Sequence, residues 1–160
     1  MRARAAWVAA AIALAAPAAA PADWTVIASA AGYFIEFDPD AVRIQGPLAL
    51  AWTRMTFTVP QQVVETGAKY QSQSQLHAVD CAAGAATIVG VVLYSGALGR
   101  GEEIERSPRP RAEWLPKAVQ SGSLGELMVK HTCAEVARRR ADAPKAGDKI
   151  PPPRTAPKDK

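Results

Sequence analysis

Four residues carry the side chains most often recruited for chemistry near neutral pH: His77, Cys81, His131 and Cys133. They are the only histidines and cysteines in the chain. They fall into two pairs, His77-x-x-x-Cys81 and His131-x-Cys133. Thiolate and imidazole together can complete a tetrahedral zinc site, but this spacing matches none of the usual finger or ribbon patterns. A cysteine nucleophile activated by histidine would need a free thiolate. The compartment decides between these readings and a disulfide.

The N-terminus points to export. Arg2 and Arg4 precede an apolar run at residues 5–16, and Ala20-Pro21-Ala22 supplies small residues before Asp23. This is the layout of a secretory signal peptide spanning residues 1–22, and its apolar run is too short to cross a bilayer. No cysteine stands near the cut to take a lipid anchor. After signal removal the longest apolar run is residues 88–94, which is strand-sized, so no transmembrane span is expected. The mature chain is therefore expected in the periplasm or at the cell surface, not lipid-anchored. In that oxidising setting Cys81 and Cys133 are expected to be joined. The bond would close a loop of 51 residues, a constraint of about 4 kcal/mol in the chain-entropy picture.

Other catalytic signatures are absent from the sequence: there is no G-x-S-x-G elbow, no phosphate loop and no H-E-x-x-H. Asp38-Pro39-Asp40 has too few oxygen ligands for a hard cation and reads as a turn. Glu102, Glu103 and Glu105 follow a glycine-rich stretch and read as a solvated turn or edge. No cofactor, no metal and no enzymatic activity are expected.

The elements around these residues follow from pattern. Residues 24–29 and 33–37 alternate and flank Ala31-Gly32, which reads as a hairpin. Residues 42–44 form a strand stub. Residues 48–59 and 86–94 are apolar on both parities, as strands covered on both faces are, and Pro60 is expected to end the first of them. Trp114-Leu115-Pro116 reads as an apolar plug for the core. Ser123 and Glu126 form a capping box, and Leu124, Leu127, Met128 and His131 fall on one face of the helix that follows. Gly125 suggests a close approach to a strand. The fold class is α+β: a single antiparallel sheet of about five or six strands, packed by one C-terminal helix and tied to it by the disulfide.

Charge divides the chain. Residues 23–136 carry 9 Lys and Arg against 12 Asp and Glu, whereas residues 137–160 carry 8 against 3. The domain is expected to span residues 23–137, followed at 138–160 by a basic, Pro/Lys-rich disordered tail. Arg138, Arg139 and Arg140 stand at this boundary, where they can extend the helix at its negative end or join the tail in binding anionic polymer. Export removes nucleic acid from the expected partners. Gln71, Gln73 and Gln75 share one strand parity, with Ser72 and Ser74 on the other. They read as an edge or loop lip able to bind sugars or peptide backbone. The helix can cover one sheet face only, so the second face suggests a homodimer.

Taken in order, several short motifs resemble the surface-adhesin E family of bacterial exported proteins. They are Ala22-Asp23-Trp24, Phe37-Asp38-Pro39-Asp40 with Val42, Trp52, Tyr70-Gln71-Ser72, Asp80-Cys81, Tyr94-Ser95-Gly96, Trp114 with Pro116, and Ser123-x-Gly125-Glu126 leading to Cys133. The resemblance runs from about Trp24 to Cys133. It implies an antiparallel sheet packed by a C-terminal helix, paired cysteines and a capacity to dimerise. For the family's namesake it implies adhesion to host matrix and plasma proteins. The function expected here is an exported, non-enzymatic, adhesin-like module that binds a protein or glycan at the cell envelope or host matrix. The alternative is an envelope structural protein held on anionic polymer by its basic tail.

Overall fold

Strands that are apolar on both parities must lie inside a sheet, and the computed structural model, which describes residues 23–143, places them there. The signal peptide expected at residues 1–22 and the tail from residue 144 on lie outside the described residues. The strands are β1 (Thr25–Ala30), β2 (Tyr33–Gln45), β3 (Leu48–Gln62), β4 (Lys69–Asp80), β5 (Ala85–Tyr94), β6 (Glu103–Pro108) and the two-residue β7 (Lys117–Ala118). They form one curled antiparallel sheet in the order β1-β2-β3-β4-β5-β6, with β7 pairing the start of β5. One helix, α1 (Leu124–Asp142), follows. No helix among the described residues is long and apolar enough to cross a membrane.

Two expected strand ends turn out to be bulges. The Asp38 carboxylate accepts hydrogen bonds from the Asp40 and Ala41 amides at 3.0 Å each. This is the turn chemistry foreseen for Asp38-Pro39-Asp40, yet β2 pairs with β3 on both sides of it, and the register jumps between Asp38 and Arg43. The local bonds satisfy the backbone without reversing the chain. Pro60 likewise does not end β3. It sits inside a second register jump, between Thr56 and Gln61, where no ladder donor is needed.

Each parity of the central strands finds its own cover. On one face, Phe37, Val42, Ala49 and Ala51 are buried against Met128 and Val136 of α1, with Ile27 and Cys81 at the margin. Small alanines on β3 let the helix approach the sheet closely. The opposite face is covered in part by the same chain. Trp24 stacks on Arg54, whose guanidinium pairs with Glu36 at 2.8 Å and donates to the Leu98 carbonyl. The turn at residues 95–101 lies over β3 and β4, held by Ser72, whose hydroxyl donates to the Gly96 carbonyl at 2.6 Å and accepts from the Gly99 amide at 2.9 Å. Trp114 lies near Trp52 and Leu76, its own ring covered by Arg111. The expected plug of the core is not seen: Leu115 is 67 % exposed. Pro108, Pro110 and Pro116 keep this stretch extended, so it runs along the sheet margin and only Trp114 turns inward.

The helix starts where expected. The Ser123 hydroxyl accepts from the Glu126 amide at 3.2 Å. Glu126 reaches back to the Gly122 amide, at 2.7 Å, since the Ser123 amide already donates to the Gln120 carbonyl. Gly125 does make a close approach, but to Val119 in the segment before the helix and not to a strand: a Cβ there would stand 3.1 Å from Val119 Cγ1. Cys81 and Cys133 are bonded, their Cα atoms 5.5 Å apart, so the turn after β4 is tied to the middle of α1.

Reducing this bond, or replacing both cysteines by serine, is expected to remove about 4 kcal/mol. On a domain of this size the thermal midpoint should fall by on the order of 10 °C. An unchanged melt in calorimetry would show that packing alone holds the helix.

Candidate binding surface on the helix-bearing sheet face

The four residues that could have formed a metal or thiol site are separated by the fold. Cys81 and Cys133 are consumed in the disulfide. His131 is half-buried on α1, its ring 5.8 Å from that of Phe37. His77 lies on β4, 6 % exposed, and its Nε2 is 2.8 Å from the Thr53 hydroxyl on β3. Burial pushes its pKa down to about 4, because the imidazolium would lose its hydration. No group of three or more His, Cys, Asp or Glu that could hold a metal occurs among the described residues.

Gln71, Gln73 and Gln75 do share a face, as their parity requires, but β4 is an inner strand between β3 and β5 and not an edge. The strand stays central because its second half, Leu76 to Val79, is apolar and must be covered. The polar first half is carried in with it. Gln75 lies beside Leu124 at the start of α1, while Cys81 is bonded to Cys133 further along the helix. The helix therefore runs from Gln75 toward Cys81. At about 3.3 Å per strand residue, Gln73 and Gln71 lie roughly 7 and 13 Å beyond Gln75, away from the helix. There Gln71, Gln73, Met55 and Leu93 are half-buried and Ile35 is fully buried. One cross-strand row reads Ile35, Met55, Gln73, Leu93. Next to it Tyr33 pairs with Phe57, and the Gln71 amide donates to the Phe57 carbonyl at 3.4 Å. The Gln73 amide meets only the Met55 sulfur, at 3.6 Å.

The three arginines part ways. All lie within α1, which continues to Asp142 and so passes beyond residue 137, where the domain was expected to end. Arg139 donates from Nε to Glu135 at 2.6 Å and from its two terminal nitrogens to the carbonyls of Val42, Pro39 and Asp40, at 2.9, 2.7 and 3.1 Å. These carbonyls belong to the β2 bulge. Arg138 pairs with Glu135 and Asp142. Arg140 is exposed. Arg139 is thus a latch between helix and sheet, and the partnership it forms is what carries the helix past residue 137. Hydrogen bonds from Arg138, opposed by the penalty of burial and aided by those from Arg139, pull the Glu135 pKa down to about 2. Sequence reading missed Glu135 and Thr53. The spacing of Glu135 to Arg138 and Arg139 (i, i+3 and i, i+4) was the available signal, whereas nothing local links Thr53 to His77.

The family profile described as surface-adhesin protein E matches residues 24–134. This chain belongs to that family. Among solved structures, protein E of Haemophilus influenzae superposes with a TM-score of 0.54 at 14 % identity, covering 78 % of this chain and 94 % of that one. Protein E from non-typeable Haemophilus influenzae superposes with a TM-score of 0.53, also at 14 % identity, over 79 % and 86 %. At such identity the likeness concerns the fold. No curated protein matches the chain. The surface-adhesin E fold accounts for the antiparallel sheet and for the C-terminal helix among the described residues.

The shifts of His77 and Glu135 make the domain less stable in acid. The His77 pKa lies below its unfolded value, so its contribution is complete above about pH 6.5 and is lost as pH falls toward 4. The Glu135 pKa is also depressed, so its contribution is complete above about pH 4.5 and is lost as pH falls toward 2. Urea melts at stepped pH should show two successive declines. His77→Gln should flatten the upper one and Arg139→Ala should weaken the lower. A His77 ring that titrates near 6.5 by NMR would contradict the assignment.

Proposed function

We propose that this chain is an exported, non-enzymatic, adhesin-like protein that binds a protein or glycan partner at the cell envelope or in host matrix. The binding surface is the half of the helix-bearing sheet face beyond the start of α1, centred on Gln71 and Gln73. Membership of the surface-adhesin E family supports the adhesin-like character. The observation that carries the location is the position of these two carboxamides beyond the start of α1. They stand among Met55, Tyr33 and Leu93 and hold only long contacts of 3.4 and 3.6 Å. Such contacts are exchanged at little loss for the carbonyls of a peptide or the hydroxyls of a sugar, and the apolar neighbours supply contact area. A homodimer through the opposite sheet face, the one without the helix, belongs to this reading.

The alternative, retention on anionic polymer by the basic tail, is weakened by the engagement of Arg138 and Arg139 with Glu135 and the β2 carbonyls. Mature protein should be captured on envelope or host-matrix fractions, and the Gln71→Ala/Gln73→Ala double variant should lose at least about tenfold in retention. A chain truncated after residue 143 should be retained like the full one. Loss on truncation with no effect of the double variant would favour the tail instead. A single-chain mass by light scattering at micromolar concentration would remove the homodimer.

A further inference from the structure

We propose that the cleft between the first turn of α1 and strands β4 and β5 binds a small uncharged amphiphile, an apolar body carrying one hydroxyl group. The cleft is separate from the surface centred on Gln71 and Gln73 and does not depend on its role. Its volume is about 390 Å³, within the ~300–1,000 Å³ typical of small-ligand sites. Ile88, Val119, Leu124 and Met128 give it apolar walls, and none of its lining residues is charged. An ionised ligand would meet no counter-charge on these walls.

Three polar side chains interrupt the apolar lining, His77, Gln75 and Thr87. The Thr53 hydroxyl occupies His77 Nε2, so Nδ1 is the nitrogen left for a ligand. A threonine hydroxyl can donate or accept, and Nδ1 is accordingly either a lone pair or an N–H. A ligand hydroxyl answers both, as it does the carboxamide of Gln75. The buried imidazole is neutral at physiological pH, consistent with a neutral partner. Gly125 belongs to the wall and lets Val119 close over the helix start: a Cβ at 125 would stand 3.1 Å from Val119 Cγ1 and press it aside by a few tenths of an ångström.

Of the three methionines, Met128 lines the cleft while Met55 lies on β3 beside Gln73. Methyl-labelled methionine therefore reports the site directly. Titration of the full chain with 1-octanol should shift the Met128 methyl resonance saturably and leave Met55 still. Octanoate and octylamine should bind at least about tenfold more weakly than octanol at pH 7. Leu124→Trp, which fills the cleft, should abolish the shift, with the Met55 signal reporting that the fold is retained. Should that variant unfold, Val119→Trp serves the same purpose. No saturable shift up to the solubility limit would overturn the proposal. So would equal binding of octanoate, or a shift that survives filling of the cleft.

Discussion

The constraint that organises this molecule is two-sided burial. β3, β4 and β5 carry apolar side chains on both parities, and the described residues hold one α-helix with which to cover them. The helix covers one end of one face. The opposite face is served by what remains: an N-terminal tryptophan, a turn at residues 95–101 and an extended stretch ending in Trp114. None of these is a regular element of any length. They are placed by single polar anchors, such as the Ser72 hydroxyl with its two backbone partners and the Arg54 guanidinium shared among Trp24, Glu36 and Leu98. Charged and hydroxyl side chains therefore hold the cover of that face in place, while the half of the helix-bearing face beyond the start of α1 carries the half-buried carboxamides of Gln71 and Gln73.

Much of this architecture was legible in the sequence. Periodicity identified the strands, the Ser123/Glu126 pair located the helix start, and two cysteines in an exported chain named their own partner. What periodicity could not supply was the third dimension. Gln71 to Gln75 look like an edge because they are polar, but neighbours in a sheet are fixed by pairing energy summed along the whole strand, and the apolar end of β4 determines its place. Asp38 to Asp40 look like a chain reversal because the local chemistry of a turn and of a bulge is the same. The contact between Thr53 and His77 joins residues 24 positions apart and follows only from the register of β3 on β4.

The charge at the end of α1 shows what composition alone leaves out. Arg138 to Arg140 resemble the start of a basic tail in composition. In the fold, Glu135 is buried and holds two of them, and Arg139 saturates carbonyls that the β2 bulge has turned away from the sheet ladder. The bulge and the arginine explain each other. Carbonyls freed from pairing need donors, and a guanidinium with five donors supplies several at once.

The disulfide also has a mechanical meaning. A pull on the chain beyond residue 143 first loads the latch between Arg139 and β2, then strips the last turns of α1 one by one. It cannot pass Cys133, because there the load transfers through a covalent bond into the turn that joins β4 to β5. The central strands would then be loaded together at one end of the sheet, and the first turn of the helix, with the cleft beside it, would lie beyond the reach of the force.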